Sequence, residues 1–122
     1  MPGTILVTHV SPLCLRTRLA GRFDLALANE VMSTVDAWRG TRTGLETFHD
    51  CSLLEDYDVA ARERVSAWSR EHAAAFDAVH LLVHGRTIAW AIKLMVAVSG
   101  AKLVSYHSSA AFEAAFAERV GA

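Results

Sequence analysis

Two hydrophobic periods take turns along this chain, a period of two in short runs and a period near 3.6 in longer ones. Thr4 to Val10 is rich in β-branched and apolar residues and ends at Ser11-Pro12, which reads as a strand and a turn. From Leu13 to Gly21, Leu13, Leu15, Thr17 and Leu19 alternate with Cys14, Arg16, Arg18 and Ala20. That alternation predicts a strand with one buried and one partly solvated face, antiparallel to the first. Gly21 is expected to end it, and Asp24 to cap a helix reaching about Trp38. Leu27, Val31, Val35 and Trp38 supply that helix with an apolar stripe.

The same alternation of periods continues. Leu45 to His49 predicts a strand, and Asp50 to Leu54 is too irregular to assign. A second helix begins near Asp56 or Asp58, where Glu55, Asp56 and Asp58 complement the positive end of its dipole. Tyr57, Ala61, Val65, Trp68, His72 and Phe76 then recur at helical steps. Ala78 to His84 is a strand and Thr87 to Ser99 a helix that is apolar on nearly every side, closed by Gly100. Lys102 to Tyr106 is the last strand, and Ser108-Ser109 caps a final helix carrying Ala111, Phe112, Ala115, Phe116 and Val120. The predicted order is ββαβαβαβα over one domain, residues 1–122, an α/β fold with a mixed, mainly parallel sheet of about five strands. Right-handed crossovers make the last three strands parallel to the second and place helices on both faces.

Three of the predicted strands run into a histidine: His49, His84 and His107. In an open parallel sheet the carboxyl ends of the strands form the ligand-binding edge. The three histidines are therefore expected at one end of the sheet, within about two strand spacings of one another. Asp50 and Arg86 join them as candidate ligand-binding residues. His84-Gly85-Arg86-Thr87 combines a glycine that permits close approach, a guanidinium and the free N–H groups of a helix start, which suits an anion. It has too few glycines for a phosphate-binding loop. The histidines would equally serve to bond carbonyls at the strand ends. No metal site is expected, because no local pair has ligand spacing.

Composition narrows the classes of function. A formal net charge of −1 argues against a nucleic-acid backbone as partner. Cys14 and Cys51 are the only cysteines and lack metal-ligand spacing, which fits reduced thiols in the cytoplasm. The start of the chain has no basic region or cleavage site of a secretory signal, and the apolar stretch Ile88–Val98 is too short to span a membrane. Trp38, Trp68 and Trp90 fall at helical positions and read as core or interface. Trp90, with Ile88, Ile92 and Met95, would line either a lipid-sized cavity or a subunit contact. No cofactor is implied.

The stretches Tyr57-Asp58-Val59-Ala60-Ala61-Arg62, Ala78-Val79-His80-Leu81-Leu82-Val83, Leu103-Val104-Ser105-Tyr106 and Phe112-Glu113-Ala114-Ala115-Phe116 share a pattern. It resembles that of the STAS domain (sulphate transporter and anti-sigma-factor antagonist), in its antagonist-like branch related to CRAL-TRIO lipid-binding folds. The resemblance runs from Leu15 onward and implies a non-catalytic regulatory or protein-interaction module with a protein partner, such as a regulator or kinase. It also implies a phosphorylated serine at a helix start. Asp50-Cys51-Ser52-Leu53 occupies that region without the motif's glycine, and Ser52 is the candidate. A domain for a small apolar or anionic ligand, of CRAL-TRIO-like type, is the alternative. An enzyme using the His49/His84/His107 edge ranks third, since no Gly-x-Ser-x-Gly elbow is present. The apolar Thr87–Ser99 helix predicts a homodimer or cover by the terminal helices.

Overall fold

The computed structural model describes residues 2–86, 88–89, 92–93 and 102–121. Its elements are β1 (Thr4–Val10), β2 (Cys14–Phe23), α1 (Leu25–Arg39), β3 (Leu45–Tyr57), α2 (Val59–His72), a 3-10 turn (Ala73–Ala75), β4 (Phe76–Leu82), β5 (Leu103–Tyr106) and α3 (Ser109–Gly121). One sheet holds the five strands in the order β1-β2-β3-β4-β5. β1 is antiparallel to β2, and β2, β3, β4 and β5 are parallel, as the crossover rule predicts.

Alternation along the strands sorts side chains between two helical layers. Leu19, Cys51 and Leu81 pack on the face covered by α1 and α2, with Val31 and Tyr57 against them. Cys14, Phe48 and Leu82 pack on the opposite face beneath Phe112, Ala115 and Phe116 of α3. Both cysteines are free and buried, one on each face. The helix predicted over Thr87–Ser99 falls largely outside the described residues, as do Trp90 and any dimer contact through that helix. Arg86, just before this stretch, and Ile88, Ala89, Ile92 and Lys93 within it are helical.

Asp24 caps α1 as expected, its Oδ1 accepting from the Leu27 N–H at 2.8 Å. Asp24→Ala should therefore cost about 1 kcal/mol of stability, read as a lower urea midpoint with an unchanged m-value. Asp58 occupies the same position at α2 but makes no cap bond. Its carboxylate instead pairs with Arg22, whose other branch reaches Asp56 at 2.6 Å.

Two strands outlast their predicted ends. β2 passes through Gly21 to Phe23, and Gly21 adopts φ 83°, a conformation that glycine alone adopts without strain. A Cβ there would also lie 2.5 Å from the Pro2 carbonyl oxygen. β3 continues from His49 to Tyr57 through a bulge. Arg18 pairs with Asp50, whereas Ala20 pairs with Leu53, so β3 spends one extra residue. The local cause is Asp50, whose Oδ1 accepts from the Ser52 N–H at 3.0 Å and from the Ser52 hydroxyl at 2.6 Å. This side-chain bond competes with the ladder and hides the strand from an alternation test.

Candidate functional site

The face shared by α1 and α2 does not close completely on the sheet. A cavity of about 110 Å³ remains there, walled by Val31 and Val35 of α1, Trp68 of α2 and Leu81 of β4. Thr47, His49 and Cys51 form its floor along β3, and Arg62 and Tyr57 belong to its wall. Its size approaches the about 150 Å³ of an apolar protein cavity that takes up benzene.

His49 is the conspicuous polar group in this lining. It is 7% exposed, and its Nδ1 lies 2.6 Å from the Thr17 hydroxyl on the neighbouring strand. Nε2 has no hydrogen-bond partner among the described residues. Burial pushes the imidazole pKa down to about 4, with His80 adding a smaller repulsion, so the ring is neutral at pH 7. Burial, followed by the charge of Asp50, pushes the Cys51 thiol up to about 12. A thiol held protonated in this way is a poor nucleophile. The Arg62 guanidinium stands 5.9 Å from the Tyr57 ring centre.

The opposite face carries a polar network under α3. His80 Nδ1 is 2.8 Å from the Tyr106 hydroxyl, and Nε2 is 2.9 Å from Glu46 Oε1. Phe48 stacks on the His80 ring at 4.0 Å between centroids, and Arg119 of α3 pairs with Glu46. Burial, then Glu46 and Glu118, raises the Tyr106 pKa. These groups join β3, β4, β5 and α3. The arrangement fastens a helix to a sheet.

The predicted edge cluster does not assemble as a unit. His84 and His107 are exposed just beyond the carboxyl ends of neighbouring β4 and β5, and exposed Arg86 follows Gly85 on the same edge. His49 lies in the middle of β3, level with Leu81, because the strand runs on to Tyr57. Asp50 points to the opposite face from His49, with Arg18 Nε at 3.6 Å. Ser52 is half-buried within β3, well before α2 starts at Val59, so it does not occupy the helix start that the resemblance implied. Among the described residues, no three His, Cys, Asp or Glu side chains gather closely enough to hold a metal ion. No described helix is long and apolar enough to cross a membrane.

Sequence reasoning missed Thr47 as part of the cavity floor, Thr17 as the partner of His49, and Glu46, His80, Tyr106 and Arg119 as a network. The Thr17 signal was present, since it stands on the buried phase of β2 between Leu15 and Leu19. His80 likewise sits mid-strand, in a run that is otherwise apolar apart from Asp77.

No protein-family model and no curated protein matches the chain. Solved structures do. An uncharacterised DUF3478-family protein with a SpoIIAA-like fold from Shewanella loihica aligns with a TM-score of 0.67 at 10% identity, covering 92% of this chain and 91% of that one. An anti-sigma factor antagonist from Mycobacterium paratuberculosis aligns with a TM-score of 0.65 at 16% identity, covering 93% of each chain. The mixed sheet, the parallel order from β2 to β5 and the helical layers on both faces therefore form a STAS-like, SpoIIAA-like α/β fold.

Proposed function

We propose that this chain is a non-catalytic STAS-like binding module that holds a small, mostly apolar ligand between α1, α2 and the sheet. The observation that carries this reading is the cavity itself, about 110 Å³ and walled by Val31, Val35, Trp68 and Leu81. An apolar space of this size has few groups with which to hold water, and filling it restores dispersion contacts that its lining lacks. Its volume suits a single ring or a short branched chain better than a long acyl chain. The free thiols favour a reducing compartment such as the cytoplasm.

Native mass spectrometry of freshly purified protein, followed by titration with toluene, tests this reading. A bound small-molecule mass, or saturable toluene binding with a raised melting temperature, is the expected result. Val31→Phe should fill the cavity, abolish toluene binding and leave the chain folded. Toluene binding undiminished in Val31→Phe would remove the cavity as the site.

A second reading, a regulatory protein-interaction module, is favoured by β1. This edge strand carries no charged residue other than His9, and it leaves Leu6 at 58% and Val10 at 64% exposure. Uncharged edge strands offer unpaired backbone groups to a partner strand. The likeness to an anti-sigma factor antagonist points the same way. Recovery of a defined protein partner by purified apo chain, lost on placing a lysine at Leu6, supports it. The same native spectra read whether the chain is a monomer or a homodimer.

A further inference from the structure

The cavity floor is not uniformly apolar, and its one buried imidazole narrows the ligand. His49 sits 7% exposed in the lining with Nδ1 committed to Thr17. Nε2 is without a partner among the described residues. A ligand that fills the cavity would bury this atom, which is costly unless the ligand bonds it. A purely hydrocarbon ligand would fill the space and bring that cost with it. We propose that the ligand is a single-ring or short-chain molecule carrying one uncharged hydroxyl, seated with its apolar body against Val31, Val35 and Trp68 and its hydroxyl on His49 Nε2.

This inference rests on the ligand-cavity reading and adds the chemistry of the ligand to it. A hydroxyl suits the site whichever nitrogen carries the proton. If Nδ1–H donates to the Thr17 oxygen, Nε2 accepts from the ligand; if the Thr17 hydroxyl donates to Nδ1, Nε2–H donates to it. A carboxylate suits it less well. The ring is neutral at pH 7, and burying an unpaired anion among apolar side chains is strongly unfavourable. The Arg62 guanidinium, beside the Tyr57 ring, marks where a carboxylate would go instead, and this makes benzoate an informative competitor.

Three probes of nearly equal shape distinguish the cases: phenol, toluene and benzoate, titrated against the full chain and against His49→Phe. Phenol is expected to bind more tightly than toluene to the unaltered protein, and benzoate not measurably. In His49→Phe the affinity for phenol relative to toluene should fall about tenfold, because the hydroxyl then loses its partner. In case the variant fails to fold, the ring nitrogens of isotopically labelled His49 give a second measurement on the unaltered chain. Their resonances should move with phenol and stay in place with toluene. Toluene binding without a preference for phenol, an unchanged preference in His49→Phe, unmoved His49 resonances at saturating phenol, or tight benzoate binding would each overturn the inference while leaving the cavity as the site. Absence of binding by both phenol and toluene would instead remove the ligand-cavity reading beneath it.

Discussion

Phe48→Ala should lower the unfolding free energy by about 3–5 kcal/mol, the usual cost of removing a well-packed buried phenyl group. Phe48 is fully buried at the centre of the α3 layer. Its ring meets Phe112 and Phe116 edge-on at 5.8 and 5.3 Å and lies flat on His80 at 4.0 Å. Truncation would therefore open a hole between helix and sheet and also release the plane that orients His80 toward Glu46 and Tyr106. For a domain of ordinary stability this is a large share of the whole. Urea unfolding followed by far-ultraviolet circular dichroism measures it, and a loss below about 1 kcal/mol would mean that α3 repacks freely over the sheet.

The second large effect is acid sensitivity traceable to one residue. His49 has a folded-state pKa of about 4, below the ordinary value of 6.5, chiefly through burial. A depressed value means that the unfolded chain binds the proton more readily than the folded one. The contribution of this group is thus fully present above about pH 6.5 and is lost progressively as the pH falls toward 4. The size of the shift corresponds to about 3 kcal/mol over that window. His49→Gln keeps a neutral group able to bond Thr17 and should flatten this part of the profile. Chemical denaturation at pH 7 and pH 4 on both proteins isolates the histidine's share, since carboxylates titrate in both. Equal acid losses in the two proteins would show that His49 is readily protonated in the folded state.

Much of the architecture was legible because the strands bury one face and the helices one stripe. Asp24 announced the start of α1, and the alternation of Leu15, Thr17 and Leu19 announced the buried face of β2. The misplaced features share one physical cause, namely local chemistry that breaks a period without ending the element. Gly21 looks like a stop yet serves as a positive-φ link inside β2. Asp50 bonding Ser52 produces a bulge that conceals the second half of β3. That concealment moved His49 from the middle of a strand to an imagined end, and the three-histidine edge followed from it.

The site was less legible than the fold. A cavity exists because of how α1 and α2 lean on the sheet, and no spacing of Val31, Val35 and Trp68 in the sequence encodes the gap between them. The network of Glu46, His80, Tyr106 and Arg119 joins residues far apart in the chain through strand register. Its members read singly as unremarkable surface or strand residues.

The two thiols, one beneath each helical layer, give the molecule a pair of independent clocks. A thiol-reactive dye reaches Cys14 only when α3 lifts from the sheet, and reaches Cys51 only when the opposite cover, which includes Val31 of α1 with Ile88 and Ile92, parts. Single-cysteine versions would thus time the two openings separately under native conditions. Should the layers come apart in one concerted event, the labelling rates, corrected for each thiol's intrinsic reactivity, would coincide. If instead the half that holds the cavity breathes more often, Cys51 would label first, and a bound guest molecule would slow that clock alone.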